Sequence, residues 1–424
     1  MIKMIKKSLR IGANSFIEPG DSNVSAHGML RTIHRLLAPK SKISRQKIQV
    51  PLKAALAQVV AGEIHAKFDS PMFDESLRDG FAIASIEHDC AAGQVTFVLV
   101  GETGAGDNVE NDIGKSQTWK VMTGGKVPGN AVRVIPQEWC SVHGDTITID
   151  AHRLLGPSYI KGQASDYKKG DLLMDVGDVV SPASLVKIAE AGWSEVTVFT
   201  RPRVCFCCTG KELVSADVTP GCAQKISSNQ YLLNALIEQY GCVGYDFGIV
   251  GDEPELVNDF FSSSLQGNFD LVITTGGTGG GVYDLVERGF VDAGGTLICN
   301  SVDMRPGKSL IVGEKGSTLY VGLPGPPCAV HTVFLEIVVP FLMEMLGIRD
   351  DRLICIQAIS QEDIVVKTKG NLVVKEGVLL FENGYCLVRP VGKGESSTCN
   401  ILIAPERNNI NAGEVVEVHL RQFL

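Results

Sequence analysis

The sequence predicts a multidomain fold of α/β plus β type, built around a central open α/β sheet with an inserted β-rich domain, a helical linker domain and a C-terminal β domain. Three observations carry this. The chain has 424 residues, which at about 100–200 residues per domain is too long for one module. From residue 203 onward, strand-like and helix-like runs alternate and include a strand that empties into a glycine loop. Short β-rich runs split by Gly, Pro and Asn dominate about 80–155, and again 350–424.

The elements follow in chain order. The first seventeen residues carry Lys3, Lys6, Lys7 and Arg10 with no acid and no continuous apolar core behind them, so they read as a short tail rather than a secretory signal. We extend that tail over 1–46. Residues 47–66 carry Val50, Leu52, Ala55, Leu56, Val59 and Val60 at spacings that predict an amphipathic helix. The loop Phe68-Asp69-Ser70-Pro71 then marks a boundary. Strands are expected at Val95–Val100, Ala131–Ile135 and Asp145–Ile149, and a helix at 182–192 that begins at Pro182 and stops at Gly192. Val204–Thr209 is an apolar strand. Ser227 or Ser228 caps a helix that presents Leu232, Leu233, Leu236, Ile237 and Tyr240, and Gly241 ends it. Asp270–Thr275 runs into Gly276–Gly281, and another helix follows. These runs divide the chain into a basic tail, a helical stretch near 47–66, a β-rich subdomain over about 80–155, an α/β part from 203 and a small β domain over 350–424.

Composition excludes several classes. Apolar residues make up 44% and charged residues 21%, so the chain buries a core instead of staying disordered. With 39 Lys+Arg against 48 Asp+Glu the net charge is −9, which argues against nucleic acid as a partner of the whole protein. No run reaches the roughly 18 consecutive apolar residues of a membrane span. The most apolar helix candidate, Val330–Leu346, contains His331, Glu336 and Glu344. Twelve scattered cysteines suit a reducing cytoplasm. Cys205, Cys207 and Cys208 read as small hydrophobes of a buried strand. The eight histidines form no H-x-x-x-H or H-E-x-x-H pair, so they read as structural or exposed.

The glycine loop is the strongest chemical signal, because bare backbone lets N–H groups approach an oxyanion and a following helix N-terminus adds partial positive charge. The dinucleotide fingerprint fails at Val282, and the P-loop pattern fails at Val302. Acids beside glycine or turn residues (Asp79, Asp166, Glu212, Asp252, Asp284) suit a divalent cation arriving with a polyanionic substrate. Arg305 and Lys308, flanking Pro306-Gly307, offer cations.

The order of motifs from about 48 to 420 resembles the molybdopterin molybdenumtransferase family of the bacterial MoeA and gephyrin E-domain type. The likeness runs through Ser76-Leu77-Arg78-Asp79-Gly80-Phe81-Ala82, Val121-Met122-Thr123-Gly124-Gly125, Ser165-Asp166, Thr209-Gly210-Lys211-Glu212-Leu213 and Asn229. It continues through Gly251-Asp252-Glu253-Pro254, Thr275-Gly276-Gly277, Tyr283-Asp284, Arg305-Pro306-Gly307-Lys308 and Gly322-Leu323-Pro324-Gly325.

The resemblance implies four parts after a tail over 1–46: a helical linker domain over 47–67 and 160–200, an inserted β-rich domain over 68–159, a molybdopterin-binding α/β domain over 201–348 and a C-terminal β domain over 349–424. It also implies a homodimer whose cleft lies between the α/β domain of one subunit and the β-rich domain of the other. It implies insertion of molybdate into adenylylated molybdopterin with release of AMP and help from Mg²⁺. Asp79, Glu212, Asp252 and Asp284 would then be catalytic, with Asp284 and Glu212 holding the metal. Gly276, Gly277, Thr278 and Gly279 would cradle phosphate, Arg305 and Lys308 would hold anionic groups, and Pro324 and Gly325 would line the substrate site. Thr123 and Asp166 would form the opposing wall. A molybdopterin adenylyltransferase and cofactor-receiving enzymes are the partners that such an activity implies.

Departures from the family pattern are Arg78 for Met, Lys211 for Asp, Val282 for an acid, Ser309 for Pro and Pro326 for Asn. They motivate an alternative, a catalytically impaired molybdopterin carrier or sensor of the same fold. A third reading takes Thr274–Gly279 as the preceding adenylyltransferase step, but the whole-chain likeness opposes it.

Overall fold

A computed structural model describes residues 10–11, 25–37, 45–87, 93–277, 285–349, 353–368 and 370–421. Its centre is a six-stranded sheet in the spatial order Val243–Val250, Arg203–Thr209, Leu271–Thr275, Thr318–Leu323, Ile311–Lys315, Thr296–Cys299. The first four strands are parallel and the last two antiparallel.

Side-chain alternation along the strands builds two core layers. Val204, Phe206, Leu271 and Ile273 face the layer that holds Leu233, Ile237 and Phe334. Cys205, Cys207, Val272 and Tyr320 face Val257, Phe261 and Phe290. Helices Ser228–Gln239, Pro254–Gln266 and Leu285–Asp292 supply the cover. The three cysteines are fully buried, as hydrophobes of this strand should be.

Pro327–Leu346 runs as one helix of 20 residues, long and apolar enough by composition to cross a membrane, yet 89% of its most apolar window is buried inside the protein. It is the core helix on the first layer. A π turn at Phe334–Val338 sits in its middle and carries the buried Glu336.

Two expectations are corrected here. Residues 47–66 do not form a helix: Lys47–Pro51 is a strand paired antiparallel with Glu195–Phe199, followed by the short turn Leu52–Ala54. Pro51 holds the preceding residue extended, and strand partners nearly 150 residues away outweigh a local helical spacing. Within the stretch read as a tail, Ala26–Leu37 is a helix whose Met29, Leu30, Ile33 and Leu37 are buried in the main core.

The remaining units are β-rich. Lys47–Pro51 and Glu195–Phe199, together with Ile64–His65 and Leu172–Met174, enclose Ala55, Val60, Ile188 and Val196, and the helix here is Pro182–Glu190. Ser181 caps that helix through Ser184, and Gly192 turns the chain at φ +89° beyond it. A second six-stranded sheet spans Gly80–Ile83 to Thr146–Asp150 and buries Phe81, Phe97, Ile135 and Ile147. In the last unit, Leu372–Glu382 pairs with both Tyr385–Pro390 and Cys399–Ile403, which closes the sheet into a barrel.

Candidate functional site

The chain runs from Arg203–Thr209 out to the edge strand Val243–Val250 and then returns to Leu271–Thr275 on the other side, so the strand order reverses between Thr209 and Thr275. Open α/β sheets form their crevice at the carboxyl ends of such a pair. A cleft of about 1040 Å³ opens there, lined by Gly276, Gly277, Glu212, Asp252, Pro324 and Gly325, among others. Its size suits a nucleotide-sized ligand.

The floor requires glycine. Gly276 and Gly277 take φ of +86° and +63°, and a Cβ on Gly276 would lie 2.6 Å from the Thr209 carbonyl oxygen. A Cβ on Gly277 would lie 2.4 Å from Val286 Cγ2. The Gly276 N–H donates to the Leu323 carbonyl at 3.1 Å, so it ties the loop to the neighbouring strand instead of facing an anion. Thr278, Gly279, Val282 and Asp284 lie outside the described residues.

Asn229 anchors the opposite rim: its Nδ2 donates to the Gly325 carbonyl at 2.8 Å, while its Oδ1 is buried with no hydrogen-bond partner among the described residues. Ser227 is the N-cap of Ser228–Gln239 as expected, but its buried hydroxyl makes no capping bond and bonds with the Cys208 thiol instead. Both residues line the cleft. A buried polar atom without a partner is costly, and the Asn229 oxygen is one that belongs to a residue of the cleft wall.

Charge is mixed. Glu212, Asp252 and Glu253 line the cleft together with Lys211 and Lys225. The Lys211 N–H donates to Asp252 Oδ2 at 3.1 Å, which fixes that carboxylate at the rim. The Lys225 N–H donates to the Glu212 carbonyl at 2.7 Å. The carboxylates at Glu212 and Asp252 supply hard oxygen donors of the kind magnesium takes. Arg305 and Lys308 are exposed on the turn that leads to the cleft residue Ser309, outside the lining itself.

The other expected residues stand elsewhere in the same chain. Asp79 Oδ1 accepts both the N–H and the O–H of Thr123, each at 2.7 Å, and these bonds hold the Asp79 carboxyl below the usual range. Asp166 is half-exposed and paired with Lys161 Nζ at 2.7 Å. None of the three lines the cleft. Of the departures, Arg78 lies 6.0 Å over the Tyr159 ring, and Lys211, Ser309 and Pro326 line the cleft. The sequence reading missed Lys225, which opens the short strand Lys225–Ile226, and named Glu253 only as a motif residue. Glu253 sits just beyond the strand Val243–Val250 and is the N-cap of Pro254–Gln266, a position that itself signals the mouth of an α/β crevice.

Comparison with known proteins bears on the fold and the family. Residues 25–192 match the family described as "MoeA N-terminal region (domain I and II)", and residues 205–344 match "Probable molybdopterin binding domain". The chain is 28% identical over 407 residues to the molybdopterin molybdenumtransferase of Staphylococcus aureus, covering 92% of this chain and 94% of that one. A solved structure of the molybdopterin biosynthesis MoeA protein from Pyrococcus horikoshii, 24% identical, superposes with a TM-score of 0.75 over 92% of this chain and 99% of the other. The molybdopterin molybdenumtransferase of Nostoc sp. is 31% identical over 317 residues, 74% of this chain and 72% of the relative. The chain therefore belongs to the molybdopterin molybdenumtransferase family.

Proposed function

We propose that the chain catalyses the metal-insertion step of molybdenum cofactor biosynthesis: molybdate enters the dithiolene of adenylylated molybdopterin and AMP leaves. The observation that carries this is the cleft at the strand-order reversal, where a glycine floor and the polar residues Ser227 and Asn229 adjoin Glu212 and Asp252. Family membership supplies the chemistry.

In this reading Asn229 and Ser227 offer polar contacts to the substrate. Gly276 and Gly277 let it approach the backbone, and Lys211 and Lys225 offset its charge. Glu212, with Asp252 and Asp284, would hold Mg²⁺, which supplies neutralisation of the phosphate charge when bound. The departing AMP and the incoming oxyanion need positioning and electrostatic support, not a nucleophilic side chain.

Asp79, Thr123 and Asp166 enter through a homodimer in which the β-rich unit of a second copy faces the cleft. A molybdopterin adenylyltransferase upstream and cofactor-receiving enzymes downstream are the expected partners, in the cytoplasm. The test is to incubate purified protein with adenylylated molybdopterin, molybdate and Mg²⁺ and to measure AMP. Release that depends on molybdate supports the proposal. Failure to release AMP, where a Staphylococcus aureus relative does so, refutes it.

A further inference from the structure

A second group of chemistry-bearing side chains lies outside the cleft. The strands Cys355–Ser360 and Val415–Leu420 pair antiparallel with Cys355 directly opposite His419, so the two side chains share one face. Glu417, two residues earlier on the same strand, shares that face too, and its Oε2 accepts the backbone N–H of His27 at 3.1 Å. That bond seats the first turn of the helix Ala26–Leu37 on the barrel. The seat brings His27 Nδ1 to 2.8 Å from His419 Nε2, with the rings edge to face at 5.1 Å. Cys355 Sγ completes the group, and the three ligand atoms all lie within 4.8 Å of one another.

Behind this trio stands an orienting shell. His419 Nδ1 donates to Glu336 Oε2 at 2.7 Å, and that carboxylate is fully buried in the π turn of the core helix. A histidine whose Nδ1 proton is held by a carboxylate presents its Nε2 lone pair outward, the arrangement that supports metal-ligating imidazoles. The Asn400 amide also donates to Glu336, through Oε1, so the carboxylate is fixed on both oxygens. Glu336, Glu417 and Glu344 balance the positive charge of Arg31 and Arg35 around the group.

We propose that His27, His419 and Cys355 form a Zn²⁺ site that clasps the N-terminal helix to the C-terminal barrel. Two imidazoles and a thiolate are a borderline-soft set suited to zinc. Zn–N of about 2.1 Å and Zn–S of about 2.3 Å place tetrahedral ligand atoms roughly 3.4–3.6 Å apart. The side chains reach that spacing by opening the His27–His419 contact by about 0.6 Å and drawing the thiolate in. Binding releases the thiol proton to solvent and replaces the hydrogen bond between the rings, the proton on His27 Nδ1 moving through solvent to its Nε2. The fourth position faces a cavity of about 200 Å³ lined by His27, His34, Glu344 and His419. The clasp does not depend on the activity proposed for the cleft, since no described residue lines both cavities.

The test uses the full chain, stripped with chelator and titrated with Zn²⁺, and with Co²⁺ as a spectroscopic probe. The expected result is one ion per chain, a cobalt–thiolate charge-transfer band, and a zinc-dependent rise in Tm. Cys355→Ser should remove the band, and Cys355→Ser and His27→Gln should each weaken affinity by at least about tenfold. Cys222→Ser, at an exposed cysteine elsewhere, should change nothing. His27 lies at the start of the helix and only half-buried, so its variant tests the site even if Cys355→Ser fails to fold. No stoichiometric binding at micromolar zinc, a wild-type cobalt spectrum without a thiolate band, or unchanged affinity in His27→Gln would each overturn the proposal. The group would then be a hydrogen-bonded Glu336–His419–His27 chain only.

Discussion

Replacing Gly276 by alanine puts a methyl group where the cleft floor leaves no room. The residue sits at φ +86°, and the added Cβ would lie 2.6 Å from the Thr209 carbonyl oxygen and 3.1 Å from Thr209 Oγ1. A left-handed conformation costs a residue with a side chain about 1–2 kcal/mol. Thr209 cannot retreat: it is registered against Val250, and its hydroxyl bonds to the Thr275 carbonyl. Relief must come from the loop, and overpacking of this kind costs a further 1–3 kcal/mol or so. A loss of about 2–5 kcal/mol lowers Tm by at least about 4 °C in a unit of this size. Gly325→Ala is the matched comparison. It lines the same cleft, yet its Cβ would meet only the Gly276 Cα at 3.9 Å, so its melting temperature should stay at or slightly above wild type. Thermal melts followed by circular dichroism measure both, and calorimetry with adenylylated molybdopterin should show weakened binding for Gly276→Ala. If Gly276→Ala melts and binds like the parent, the argument for a sterically required floor is wrong.

Other outcomes follow from the same geometry. Glu212→Gln should leave Tm unchanged but lower AMP release by about a hundredfold or more, as expected for loss of a charge that acts at the phosphate. Ile33→Ala, fully buried on the N-terminal helix, should destabilise the protein by about 2–5 kcal/mol in denaturant melts, whereas a true tail would tolerate it. His331 is held down at about 4 by burial and by Arg421, whose Nη1 donates to the His331 Nδ1 lone pair at 3.2 Å and so requires a neutral ring. The unfolded chain takes up this proton first, so stability is fully present above about 6.5 and falls as pH drops toward 4. In His331→Gln, Tm plotted against pH should be flatter across that window. Thr123→Val removes the hydroxyl from Asp79, so the Asp79 carboxyl should titrate at higher pH in carbon-13 NMR than it does in the parent.

The parallel strands Arg203–Thr209 and Leu271–Thr275 were legible because they are short, unbroken apolar runs with a glycine loop or a helix start behind them. Pro182–Glu190 was legible from its proline start and glycine stop. Lys47–Pro51 was not, because its partner strand lies far away and a local spacing cannot register it. The helix Ala26–Leu37 hid behind a basic, loop-like beginning, although Met29, Leu30, Ile33 and Leu37 fall on one face. The acids and glycines of the cleft were found as motif positions, but the buried, unpaired Oδ1 of Asn229 required coordinates. The trio of His27, Cys355 and His419 had no sequence signal, since a helix and two barrel strands from opposite ends of the chain create the adjacency.

Met304–Arg305 leaves the α/β unit only long enough to pair, in parallel, with Leu372 and Val373 of the barrel, and the chain then returns through Lys308 and Ser309 to the cleft. The basic turn beside the cleft is thus held at one end by a unit that comes later in synthesis. A ribosome-bound chain ending near Leu346 would have every strand of the central sheet, yet Arg305 would lack its partner strand. Competence of the cleft should therefore lag behind formation of the sheet that carries it.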